Sequence, residues 1–247
     1  MLGASNVTRM LPVIVATLRA TFPRVRIFVA HGHGRSYGDR SRLFNRELDG
    51  HTQGALWDAL DRVPDPAGQR FALVTDVGND VVYGHPIPQI ITWVDTCLRR
   101  LEEHGFVSTL TAPPLQPVLR LSERRYRRIS RLFFPAFDLP YPELAPLVRL
   151  LDAKIRRLAA DRGVALAVPD PRWFVIDPIH VRYLRRIDAM REYLGKWPGV
   201  EICPRHGGYR EAARLWNAPP QRKWVQGQIR TAEQPTRRTA DHELWLF

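Results

Sequence analysis

Cysteine and lysine are the residues this chain has least of. Its 247 residues include two cysteines, Cys97 and Cys203, and no Cys-x-x-Cys pair. That excludes a disulfide-stapled secreted scaffold and the common zinc-finger spacings. No apolar run approaches the roughly 18 residues of a membrane-spanning helix, and the longest candidate, Leu11 to Leu18, is interrupted by Pro12. No charged, then apolar, leader precedes Gly3-Ala4-Ser5, so a cytoplasmic location is expected. Lys154, Lys196 and Lys223 are the only lysines among 37 basic residues. Against 25 acidic residues this leaves a net charge of +12. A nucleic-acid surface would explain basicity. An arginine-biased coding composition explains it together with the scarcity of lysine, and the arginines are spread along the chain. A nucleic-acid partner is therefore not expected.

What remains is ordinary globular composition, 45% hydrophobic and 25% charged. Apolar residues at helical spacing predict helices over 8–22, 53–60, 87–104, 141–161 and 181–194. Short β-branched runs predict strands over 25–30, 71–75, 106–111 and 164–168. Strands alternating with helices imply an α/β fold with a parallel sheet covered on both faces. Residues 198–247 show no periodicity and read as an Arg-, Pro- and Trp-rich extension. Trp216 and Trp224 there would meet a partner or cover the sheet.

In parallel sheets, functional residues gather in loops beyond the carboxyl ends of the strands. Four segments occupy such places: Gly3 to Asn6, His31 to Gly38, Asp76 to Asp80, and Asp177 to His180. Asp177-x-x-His180 suits a general base whose tautomer is fixed by a carboxylate. Ser5, just ahead of a helix, suits a nucleophile beside backbone N–H groups that favour a developing anion. Asn79 and a glycine N–H would complete an anion site. Each piece alone has an ordinary alternative: a surface hydrogen bond for the Asp-His pair, a turn for Asn79, a helix cap for Ser5.

Taken in order, the N-terminal serine, glycine loop, asparagine loop and late Asp-x-x-His resemble the SGNH (GDSL-type) hydrolases over about residues 1–195. The resemblance implies a three-layer α/β/α flavodoxin-like domain, with 196–247 as an extension packed on it or partly irregular. It implies a cofactor-free esterase, with Ser5 as nucleophile, His180 as base and acid, and Asp177 as its orienter. The oxyanion hole would comprise the Ser5 N–H, the Gly38 N–H and the Asn79 side chain. Gly34 is the second choice for the glycine and a candidate substrate contact. The substrate would be an acyl or acetyl ester of a small molecule, glycan or lipid. Two departures stand out: Gly3-Ala4-Ser5 replaces Gly-Asp-Ser, and only Met1 and Leu2 precede it where a strand of about five residues is expected. They support the alternative of a non-catalytic protein of this fold with a basic partner surface.

Other readings compete within the glycine loop. Gly34-Arg35-Ser36-Tyr37-Gly38 matches the G-x-S-x-G nucleophile elbow, which would make Ser36 the nucleophile. Gly32-x-Gly34-x-x-x-Gly38 is one residue too long for a dinucleotide fingerprint. His31 and His33 alternate as a metal pair would, with no Cys or carboxylate cluster beside them, so no metal is expected. His85 and Trp173 are candidates to line a substrate cleft, with surface and core roles as their alternatives.

Overall fold

A computed structural model describes residues 1–43, 46–63, 68–133, 139–175, 177–203 and 209–247. The chain is a mixed α/β fold with parallel strands and helices. Helix α1 (Ser5–Thr21) is followed by β1 (Val25–Val29) and a hairpin of β2 (Ser41–Leu43) and β3 (Arg46–Leu48). Then come α2 (Leu56–Arg62), β4 (Phe71–Val74), α3 (Asn79–Val82), α4 (Ile87–Glu103) and β5 (Val107–Thr111). Three helices, α5 (Leu115–Leu119), α6 (Glu123–Phe133) and α7 (Tyr141–Asp161), precede β6 (Ala165–Ala167). The chain closes with α8 (Arg186–Leu194), α9 (Tyr209–Asn217), β7 (Arg222–Val225), β8 (Gln228–Thr231), β9 (Arg237–Arg238) and β10 (His242–Leu246).

The missing first strand is present as a stub. Leu2 bridges Ala30 on one side and Val74 on the other, both in parallel. Its N–H donates to the Leu73 carbonyl at 2.8 Å, and its own carbonyl accepts from Thr75 at 2.9 Å. Residues 1–3 therefore join β9-β10-β1 to β4-β5-β6. A strand this short holds only because neighbours on both sides satisfy its backbone groups. Gly3 is required where the stub meets α1: a Cβ there would lie 2.3 Å from Val7 Cγ2 and 2.8 Å from Thr75 Cγ2.

The pleat sends alternate residues to opposite faces. Ala72 and Val74 join Ile90, Val94 and Leu98 of α4 and Leu151 and Ile155 of α7 in one core. Leu73 joins Leu11 and Ile14 of α1 and Met190 and Leu194 of α8 in the other. Helices thus bury an apolar stripe on each face of the sheet.

Three helix starts differ from the periodicity: α2 begins at Leu56, not at residue 53, which closes a separate 3-10 turn at His51–Gln53. Helix α1 begins at Ser5, not Thr8, because the Asp76 carboxylate accepts the N–H groups of Ala4 (2.8 Å) and Asn6 (3.1 Å). This cap comes from 70 residues away and leaves no local signal. Helix α8 begins at Arg186, not Val181. The N–H of Val181 goes to Asn6 Oδ1 and that of Arg182 to the Trp173 carbonyl, which holds these residues in the loop, and a single 3-10 turn at Tyr183–Arg185 leads into the helix.

The last fifty residues contribute strands. β10 pairs in parallel with β1, with Ile27 opposite Leu244. β7 pairs with β3 and β8 in a separate antiparallel sheet. Trp224 lies beneath the Arg40 guanidinium, 3.8 Å from its ring centroid. Residues 204–208 of this region, 134–138 before α7, and Ile176 in the loop read over 175–180 lie outside the described residues.

Candidate active site

Ser5, His180 and Asp177 form a hydrogen-bonded line. His180 Nε2 stands 2.7 Å from Ser5 Oγ, and His180 Nδ1 is hydrogen-bonded to Asp177 Oδ2. The other Asp177 oxygen accepts the N–H groups of Ile179 (3.0 Å) and His180 (3.2 Å). Burial alone would raise the Asp177 carboxyl. The bond and charge of His180 and these two N–H groups outweigh it and hold the pKa below the usual value. Asp177 is thus kept as a carboxylate facing the imidazole. Ser5 and His180 are both buried, at 7% and 8% exposure.

Two residues of the candidate loops to which the sequence reading assigned no role, Asn6 and Asp76, fix this line. Asn6 Nδ2 donates to Asp76 Oδ1 (2.8 Å) and to the Ile179 carbonyl (2.9 Å). Asn6 Oδ1 accepts the Val181 N–H (2.9 Å). The peptides on either side of His180 are therefore held by the residue next to Ser5. Asp76 itself adopts φ 64°. This left-handed backbone is disfavoured for most side chains and tolerated best by Asn and Asp. An acidic residue directly after β4 was the available signal for it.

Hydrogen-bond donors lie at the cavity that holds Ser5. Among the described residues, no acceptor takes the Ser5 N–H, which lies at the start of α1. Asn79 lines the same cavity as Ser5, and one amide hydrogen is used by the Arg35 carbonyl at 3.2 Å. A second hydrogen remains on that amide. The Gly38 N–H, by contrast, is occupied by Ser36 Oγ at 3.1 Å. A Cβ on Gly38 would sit inside the Trp93 ring, which places this glycine in packing. Gly34 adopts φ +69°, and its N–H has no acceptor among the described residues.

Ser36 has a structural environment. Its hydroxyl donates to Asp80 Oδ1 and accepts the N–H groups of Gly38 and Asp39. Among the described residues no imidazole is hydrogen-bonded to it, so the elbow reading lacks its base. Burial raises the Asp80 carboxyl to about 6, against the hydrogen bonds from Ser36 and Tyr37.

His31 and His85 have partners of their own. His31 Nδ1 meets Thr8 Oγ1 at 2.8 Å, and burial lowers its pKa to about 3. His33 is lowered to about 4 by burial and by the nearby charges of Arg46 and His180. Among the described residues no cluster of His, Cys, Asp and Glu could hold a metal. His85 faces Asp39 at 3.4 Å and stands edge-on to Trp93. Trp173 packs edge-on to Tyr193 in the α1–α8 core, and its neighbour Phe174 faces the cavity instead.

That cavity, about 100 Å³, opens beside Ser5, Asn79 and Ile179. Its wall continues through Pro113, Val118 of α5, Tyr126 and Ile129 of α6, and Leu144 and Val148 of α7.

No family model matches the chain, and no curated protein matches it. A similar solved structure is the psychrotrophic esterase EstA from Pseudoalteromonas sp., inhibited by monoethylphosphonate. It is 11% identical, with a TM-score of 0.42 over 68% of this chain and 75% of that one. Among the described residues no helix is long and apolar enough to cross a membrane.

Proposed function

We propose that this protein is an SGNH-type serine hydrolase that cleaves an ester through an acyl-enzyme. Residues 1–195 would form its three-layer, flavodoxin-like domain, with 196–247 as an extension that adds β10 and then β9 beyond β1. The observation that carries the reading is the unbroken line Ser5–His180–Asp177. A hydroxyl 2.7 Å from an imidazole whose far nitrogen meets a carboxylate is the arrangement an activated nucleophile needs.

In the first step Ser5 Oγ bonds to the ester carbonyl carbon and gives its proton to His180 Nε2. The carbonyl oxygen becomes an oxyanion among the Ser5 N–H, the Asn79 side chain and a loop glycine. For that glycine we assign Gly34 in place of Gly38, whose N–H is already engaged. Collapse breaks the bond to the alcohol oxygen, which leaves with the proton from His180. Water then gives a proton to His180 and adds to the acyl carbon. Collapse expels Ser5 Oγ, which recovers the proton, and the carboxylic acid departs. Asp177 stabilises the imidazolium formed twice in this cycle.

The test is labelling with an ethyl fluorophosphonate, read by peptide mass spectrometry. The expected label is on Ser5 and is lost in His180→Ala. Label on Ser36 would move the nucleophile to the glycine loop. A folded protein that takes no label would overturn the hydrolase reading and favour the non-catalytic one.

A further inference from the structure

The cavity beside Ser5 distinguishes between esters that the triad alone treats alike. Beyond Asn79 and Ile179 its wall is mostly apolar: Val81, Val118, Ile129, Leu144 and Val148, with Tyr126 and, as further hydroxyls, Thr111 and Ser130. Among its described lining residues Asp76 alone is charged. That carboxylate is occupied by the N–H groups of Ala4 and Asn6 and the Asn6 amide. The Tyr126 hydroxyl is likewise spent, on the Leu139 carbonyl at 2.6 Å. Val118, Tyr126, Leu144 and Val148 are each under a tenth exposed and form a small core of their own, against which Ile179 packs. The neighbour of His180 thus belongs to the cavity wall.

We infer that this cavity holds the acyl chain of the substrate, and that the substrate is an ester of a medium-chain fatty acid, not an acetyl ester. The inference rests on the acyl-enzyme reading. The acyl group stays bonded to Ser5 through both steps, whereas the alcohol must leave before water enters. A largely apolar pocket walled by a packed cluster suits the part that stays. A polar alcohol or sugar there would lose its water with few hydrogen-bonding partners in return. One water needs roughly 10–15 Å³ of such space, so about 100 Å³ accommodates a chain on the order of eight carbons. Each buried methylene contributes about a fourfold gain in kcat/KM until the cavity is full.

The experiment measures kcat/KM for p-nitrophenyl esters from acetate to dodecanoate, with the same leaving group throughout. A rise of at least a hundredfold from acetate to octanoate, then a plateau or fall, is expected. Val148→Phe fills the wall at α7 and moves the optimum to shorter acids. Ile129→Trp, at a half-buried position on α6, makes the same test if the α7 variant does not fold. A profile highest at acetate, or one that neither variant moves, overturns the inference. A preference for acetates of long-chain alcohols overturns it too, by assigning the cavity to the leaving group. Labelling separates the two failures. If the ethyl fluorophosphonate labels Ser5 and a long-chain one does so no faster, only the acyl assignment falls. If neither labels Ser5, the hydrolase reading falls with it.

Discussion

Asp76 grips Asn6 with both carboxylate oxygens, Oδ2 on the backbone N–H at 3.1 Å and Oδ1 on the side-chain amide at 2.8 Å. The Asn6 amide then holds the Ile179 carbonyl and the Val181 N–H. Two loops and the start of α1 are tied at one point, and Ser5 and His180 flank it. The distance between Ser5 Oγ and His180 Nε2 is thus set by a residue that touches neither atom.

Asn6→Ala removes that tie. It strands the Val181 N–H and the Ile179 carbonyl, at about 1–3 kcal/mol for each group left unpaired. Chemical denaturation is expected to show a loss of about 2–4 kcal/mol. Where the variant remains folded, kcat should fall about a hundredfold with KM little changed, because misplacement acts on the reacting geometry. Unchanged kcat in a folded variant would remove Asn6 from the positioning role.

Asn79→Ala leaves the triad intact and withdraws one donor from the oxyanion. A loss of about 10²–10³ in turnover is expected, with a stability loss of about 1–3 kcal/mol as the Arg35 carbonyl loses its partner. Steady-state kinetics on any ester that is turned over checks it. A rate within threefold of the parent would exclude Asn79 from the anion site.

Ser36→Ala separates the two serines. Ser5 should still take the fluorophosphonate label at the parent rate, since Ser36 is bonded to Asp80 and not to a histidine. Stability should drop by about 1–3 kcal/mol as Asp80 and the N–H groups of Gly38 and Asp39 lose their partner. Loss of Ser5 labelling in a folded Ser36→Ala protein would contradict this division of roles.

The buried Asp80 predicts a pH dependence of stability. Its folded pKa, about 6, lies above the unfolded value of 3.8. The folded state therefore binds the proton more tightly. The contribution is fully present below the unfolded pKa and is lost as pH rises through about 6. The shift corresponds to about 3 kcal/mol. His31, lowered to about 3, acts in the opposite sense, so the comparison must isolate Asp80. The stability difference between the parent and Asp80→Asn, followed from pH 4 to pH 7, should move against the parent by about that amount. A difference that does not change with pH would place Asp80 in a more solvated site.

Much of this was legible in the chain itself. Residues 87–104 and 141–161 carry apolar positions at a spacing that only a helix gathers onto one face, and α4 and α7 lie within a residue of those bounds. The strands ahead of Asp76 and Thr111 show the β-branched runs of buried parallel strands. Ser5, Asn79, Asp177 and His180 stood out because their side-chain chemistry, and the loops that periodicity placed them in, are local properties.

What the tertiary structure alone decided depends on partners far away in sequence. Met1 to Gly3 have no strand signal, and they pair because β1 and β4 present unpaired backbone on both sides. β10 reads as part of an aperiodic tail until β1 offers it a parallel edge. That the Gly38 N–H is spent on Ser36 Oγ no local pattern records, and the start of α1 depends on a carboxylate from the β4 loop. The cavity exists only where α5, α6 and α7 enclose space beside Ser5. Periodicity records which face of an element is buried; hydrogen-bond satisfaction and enclosed volume are settled only when distant segments meet.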